Sequence, residues 1–113
     1  MGKFVIGSSV DGYHFLVESF KGEVLAMSPF YDSEEKATEA IKLAKILIPN
    51  VKVYDETKGG HVLTKTPRFV IYRDSNDMYH FSLEDGDAVS LLSSPAYTSF
   101  GYCVQMISNL RSI

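Results

Sequence analysis

Side chains alternate along residues 13–19: Tyr13, Phe15 and Val17 take one face, and His14, Leu16 and Glu18 the other. That period of two predicts a strand. A shorter β-rich run covers residues 3–8, and the segment Ser9-Val10-Asp11-Gly12 between them reads as a turn in which Gly12 is free to take a positive φ. A third strand is expected over residues 23–28, ended by Pro29, which has no amide proton for a ladder. Short turns between consecutive strands predict an antiparallel meander. The period then lengthens. Ala37, Ala40, Ile41, Ala44, Leu47 and Ile48 recur at three and four, the apolar stripe of a helix. Asp32 or Ser33 is placed to cap it, Glu34 and Glu35 favour the positive end of its dipole, and Pro49 stops it. Residues 51–54 read as a short strand and 55–60 as a polar loop. Residues 61–66 fit either a further strand or a linker.

Beyond Pro67 the pattern restarts. Phe69-Val70-Ile71, Tyr79-His80-Phe81 and Ser94-Pro95-Ala96-Tyr97-Thr98-Ser99 repeat Phe4-Val5-Ile6, Tyr13-His14-Phe15 and Ser28-Pro29-Phe30-Tyr31-Asp32-Ser33 in order and type. Strands are expected over 68–73, 79–85 and 88–93, joined by Asp74-Ser75-Asn76-Asp77 and Asp85-Gly86-Asp87. Thr98 or Ser99 caps a second helix, whose Cys103, Met106, Ile107 and Leu110 match Ala37, Ala40, Ile41 and Ala44. A repeat this long reads as a duplicated half-domain. The expected fold is α+β: two tandem β-β-β-α(-β) repeats in one domain, 1–55 and 67–113 with connector 56–66, forming one antiparallel sheet with both helices on one face. The expected core is Phe4, Ile6, Tyr13, Phe15, Val17, Ile41, Ala44, Phe69, Ile71, Tyr79, Phe81, Leu83, Met106, Ile107 and Leu110.

These elements resemble those of the YegP-like family of small bacterial proteins of unknown function. Its members show F-x-I, an aspartate-glycine turn, [YF]-x-F-x-L, N-G-E-V-I and S-x-x-Y-x-S at a helix start. Here these are Phe4-Val5-Ile6, Asp11-Gly12, Tyr13 through Val17, Gly22-Glu23-Val24-Leu25, and Ser28 through Ser33. The second half matches at Phe69, Ile71, Tyr79, Phe81, Leu83, Gly86, Ser94, Tyr97 and Ser99. The resemblance implies β-β-β-α-β units that share one antiparallel sheet and exchange their last strands, as dimers of single units or as tandem repeats. It brings no activity, cofactor or catalytic residue. Two departures stand out. The second half has no counterpart of the strand at 51–54, which is expected to leave one sheet edge open unless residues 61–66 fold back to protect it. Outward strand positions, usually charged in the family, here hold Val5, His14, Leu16, Val70, Tyr72, His80 and Ser82.

The 113 residues suffice for one core, and a hydrophobic fraction of 45% argues against disorder. A formal charge of −3 without a basic cluster argues against nucleic acid as a partner. One cysteine, Cys103, allows no internal disulfide, and no signal-like or spanning apolar run is visible, so a cytoplasmic protein is expected.

His14 and His80 hold matching positions that pseudo-symmetry could bring near each other, but two imidazoles fall short of a zinc site, so no metal is expected. Ser94, His80 and Asp77 make a nucleophile set on paper, without any elbow motif to expose the serine. Asp74 to Asp77 reads as a turn rather than a calcium loop. Cys103 reads as a buried, inert thiol. Tyr31 and Tyr97 are expected to pack over the helix starts with each hydroxyl on a backbone group. No catalytic residue and no cofactor is assigned. The function expected is a non-enzymatic interaction or structural module that self-associates, or binds another protein, through the face carrying Val5, His14, Leu16, Val70, Tyr72 and His80, or through the open edge. The alternative is a small-molecule-binding protein or minor enzyme with a site near His14, His80 and Tyr72.

Overall fold

The computed structural model describes residues 2–58 and 65–113. The expected reading of residues 61–66 as strand or linker falls largely outside them. The elements run β1 (Lys3–Ser9), β2 (Gly12–Glu18), β3 (Val24–Met27), α1 (Glu34–Leu47), β4 (Val53–Asp55), β5 (Arg68–Arg73), β6 (Tyr79–Glu84), β7 (Ser90–Ser93) and α2 (Phe100–Arg111). The strands form one sheet in the order β1-β2-β3-β7-β6-β5-β4. The fold is α+β, with a mixed rather than purely antiparallel sheet, because β4 pairs parallel to β5. Antiparallel neighbours need only a tight turn, whereas a parallel pair needs a connection of about a dozen residues. Residues 56–67 supply that length.

Ser33 and Ser99, rather than Asp32 and Thr98, are the helix caps, accepting from the amides of Lys36 and Tyr102. Both helices contribute to one cluster: Ala40, Ile41 and Ala44, and Cys103, Met106, Ile107 and Leu110, pack with Phe15, Val17, Phe69, Ile71, Phe81 and Leu83. Two expected core positions differ: Ile6 stays 36% exposed, because β1 is an edge strand, and Tyr13 is half-buried outside the cluster, while Phe4 and Tyr79 are half-buried and pack against it.

The adjacent pairs Leu25-Ala26 and Leu91-Leu92 also enter the core, which strict alternation forbids. Bulges explain them. Val17 faces Ala26 while Glu18 faces Val24, leaving Leu25 as the extra residue, and Leu83 faces Leu92 while Glu84 faces Ser90, leaving Leu91. A bulge lets two consecutive side chains fall on one side.

Three turns share one design. The side chain of Ser19, Asp74 or Asp85 accepts from the amides two and four residues on, and the residue three on has a positive φ: Gly22, Asp77 or Ala88. This turn occupies 85–89, so β7 begins at Ser90 and not at the expected Ala88.

Candidate functional site

The site is the sheet face opposite the core cluster. Its middle can be read from the register. Val5 faces Leu16, Leu16 faces Met27, Met27 faces Ser93, Ser93 faces Ser82, Ser82 faces Val70 and Val70 faces Tyr54. One residue from each of the seven strands thus joins a single row, and none carries a formal charge. The charges lie beside the row. Lys3 faces Glu18 at one end. Arg68 donates to Glu84 at 2.8 Å and to Glu56 at 3.0 Å, and the two carboxylates hold its guanidinium above its ordinary pKa.

The row is not evenly accessible. Val70 is only 3% exposed and Ser82 is buried, so that half offers little surface. Val5 and Leu16 are half-buried, while Met27 is 47% exposed, with Val24 and Phe30 also exposed nearby in sequence. Between β3 and β7, which share the single pair Met27–Ser93, lies a cavity of about 460 Å³. It is lined by Val24, Met27, Pro29, Pro95 and four serines.

Two of those serines are structural. The Phe15 amide donates to Ser28 Oγ at 2.8 Å, and Ser28 Oγ donates to the Pro29 carbonyl at 2.8 Å. Phe81 and Ser94 repeat this at 2.9 Å, with the Ser94 hydroxyl donating to the Pro95 carbonyl at 2.8 Å. Each hydroxyl takes an amide that the ladder would otherwise leave unpaired where the strand ends. The paper set of Ser94, His80 and Asp77 therefore does not assemble: the Ser94 hydroxyl is engaged with backbone, and Asp74 takes the place given to Asp77.

His80 Nε2 donates to Asp74 Oδ2 at 2.7 Å, and Nδ1 lies 3.3 Å from the Ser94 carbonyl oxygen. Its ring stacks on Tyr72, 5.4 Å between centroids and 11° between planes. The hydrogen bond from His80, followed by that from the Met78 amide, holds the Asp74 carboxyl below the usual carboxylate range. The same carboxylate accepts from Asn76 and Met78, which makes Asp74 a turn-former as expected.

His14 has different surroundings. Its ring sits over Gly7, where an added Cβ would come within 2.9 Å of Cε1, and beside Phe30 at 5.1 Å. Its buried Nδ1 has no partner among the described residues. Three strand steps separate β2 from β6, and the antiparallel β3–β7 pair puts the two histidines on opposite sides of the row. With strands about 4.8 Å apart and about 3.3 Å per residue, the rings lie roughly 20 Å apart. The strand order and register separate them rather than joining them, and any pocket built on Tyr72 and His80 excludes His14.

Tyr31 and Tyr97 pack partly buried rings against the core. Tyr31 exchanges backbone hydrogen bonds with Tyr13 at 2.8 and 2.6 Å, and Tyr97 with Tyr79 at 2.8 Å each. The Tyr97 hydroxyl, however, is buried without a partner among the described residues, and burial pushes its pKa up to about 12. Cys103 is fully buried, which pushes its thiol up to about 11, well away from the reactive thiolate.

Met27 and Ser93 were not singled out by the sequence, and Asp74 only as part of a turn. Met27 joins the row only through its cross-strand neighbours, which no single strand displays. Asp74 carried a turn signal whose second partner, His80, becomes visible only once the hairpin is paired.

No family model matches the sequence, and no curated protein does. Solved structures do match. The solution NMR structure of UPF0339 protein SO3888 from Shewanella oneidensis aligns over 98% of this chain and 82% of its own, with a TM-score of 0.79 and 18% identity. That of YegP from E. coli, described as a protein of unknown function, aligns over 97% and 83%, with a TM-score of 0.77 and 20% identity. The chain has the YegP-like fold. At these identities the likeness concerns the fold, and it matches the resemblance read from the strand and turn motifs. Among the described residues no helix is long and apolar enough to cross a membrane.

Proposed function

We propose that the protein is a non-enzymatic interaction module that associates through its sheet, first with a second copy of itself. The observation that carries this is the uncharged row from Val5 to Tyr54, with Met27 standing 47% exposed beside an apolar cavity. A solvated sheet face ordinarily alternates toward charge, and an uncharged one costs solubility unless something covers it. Methionine suits such a contact because its flexible thioether adapts to the surface it meets.

The architecture belongs to the same proposal. The chain is a tandem of two related units in one domain, with both helices on the face opposite the row. The matched backbone pairs Tyr13–Tyr31 and Tyr79–Tyr97, and the matched Ser28 and Ser94 closures, favour this reading. The single thiol suits a cytoplasmic setting.

The test is sedimentation velocity on the wild type and on Leu16→Lys and Met27→Lys. Both residues lie on the exposed half of the row. Val70 is unsuitable, because at 3% exposure a lysine there would test folding instead. The reading predicts a lower mass for both variants with an unchanged unfolding transition. A wild-type monomer, or variants of undiminished mass, contradicts association through this face.

A further inference from the structure

We infer that strand β1 is a docking edge that pairs antiparallel with β1 of a second copy, with a twofold axis at Ile6. This rests on the proposal that the protein self-associates through its sheet, and adds the edge as a second contact beside the face.

Backbone direction carries the argument. Tyr13 exchanges hydrogen bonds with Tyr31, and Phe15 exchanges them with Ser28, its amide to the hydroxyl and its carbonyl from the Ser28 amide. The odd residues of β2 thus point their polar backbone groups toward β3, and the even ones point toward β1. Val5 and Gly7, opposite Leu16 and His14, are therefore bonded to β2. Phe4, Ile6 and Ser8 turn their N–H and C=O groups outward, where β1 has no neighbour among the described residues.

The matching residues of β5 show what such groups take. The Phe69 amide donates to the Lys52 carbonyl at 2.9 Å, and the Ile71 carbonyl accepts from the Glu56 amide at 2.8 Å. Phe69 and Ile71 are the sequence counterparts of Phe4 and Ile6. In the second half of the sheet these positions receive a strand. In the first half they have no partner strand among the described residues.

The two edges also differ in how they are guarded. β4 has three residues, ends on Asp55 and follows Lys52. β1 has seven residues, with Lys3 its only charge. A long uncharged edge invites pairing, whereas a short charged one resists it. The outward groups at 4, 6 and 8 are self-complementary about Ile6. An antiparallel pair places Ile6 on Ile6, Phe4 on Ser8 and Lys3 on Ser9, so no like charges meet. A twofold contact of this kind closes at two copies. It also covers the exposed Ile6 side chain with its own mate.

Cysteine crosslinking tests the register directly. Ile6→Cys places two thiols on a hydrogen-bonded pair whose Cα atoms lie about 5.5 Å apart, within disulfide range. Ser8→Cys places them roughly 13 Å apart and serves as the control. Cys103 is buried and does not compete. Under mild oxidation Ile6→Cys is expected to convert to covalent dimer and Ser8→Cys is not. Ile6→Pro, which removes an outward amide without touching the β1–β2 ladder, is expected to sediment at a lower mass than wild type with its circular dichroism retained. A wild type that is monomeric at every concentration overturns both this inference and the association reading. A wild-type dimer that persists in Ile6→Pro and fails to crosslink at position 6 overturns the inference alone, and its dissolution by Met27→Lys assigns the contact to the face.

Discussion

Asp74 and His80 meet across the β5–β6 hairpin at 2.7 Å, one residue opening the turn and the other beginning the return strand. The contact ties a turn to the uncharged side of the sheet and makes local stability depend on pH. The Asp74 carboxyl is held low in the folded chain, first by His80 and then by the Met78 amide. A depressed carboxylate supplies stability above its unfolded value of about 3.9, and that stability is lost as pH falls through the folded value. Asp74→Asn is expected to be less stable than wild type at neutral pH and to lose less on acidification. Urea midpoints at neutral pH and at about pH 3 check this. An equal deficit at both would contradict it.

Ala88 occupies a left-handed position, with φ of 62°, in the turn where Ser19 and its partners place Gly22. An L residue there costs about 1–2 kcal/mol that glycine avoids. Ala88→Gly is expected to raise stability by about 1 kcal/mol. Asp77→Gly, at φ of 60°, is expected to gain less, because Asp tolerates this region better than Ala. Chemical denaturation of both variants gives the order. A destabilised Ala88→Gly would mean that the alanine side chain is needed where it stands.

The Tyr97 hydroxyl is buried without a partner among the described residues. Leaving a buried polar group unbonded costs on the order of 1–3 kcal/mol. Tyr97→Phe keeps the ring and its contact with Tyr102 while removing the orphan group. It is expected to be at least as stable as wild type, by about 1 kcal/mol. A clear loss of stability would show that the hydroxyl is bonded in solution.

Most of the fold was legible because strands and helices write their periods locally. Phe15, Val17, Phe69, Ile71, Phe81 and Leu83 alternate into the core as strand geometry requires, and Ser33 and Ser99 cap helices with ordinary capping chemistry. What escaped depended on pairing between distant segments. The parallel direction of β4 is set by its partner β5, and the inward turn of Leu25 and Leu91 by bulges against β2 and β6. The candidate face was half legible. Val5 and Leu16 were visible as uncharged outward residues, but the row's continuity through Met27, Ser93 and Ser82 follows only from cross-strand register. The same register places His14 and His80 far apart, against the expectation raised by their matching positions.

The most direct test of the central claim is the solution mass of the wild-type chain across a concentration series. The expected mass rises above that of one chain as concentration increases. A mass fixed at that of one chain throughout would contradict it.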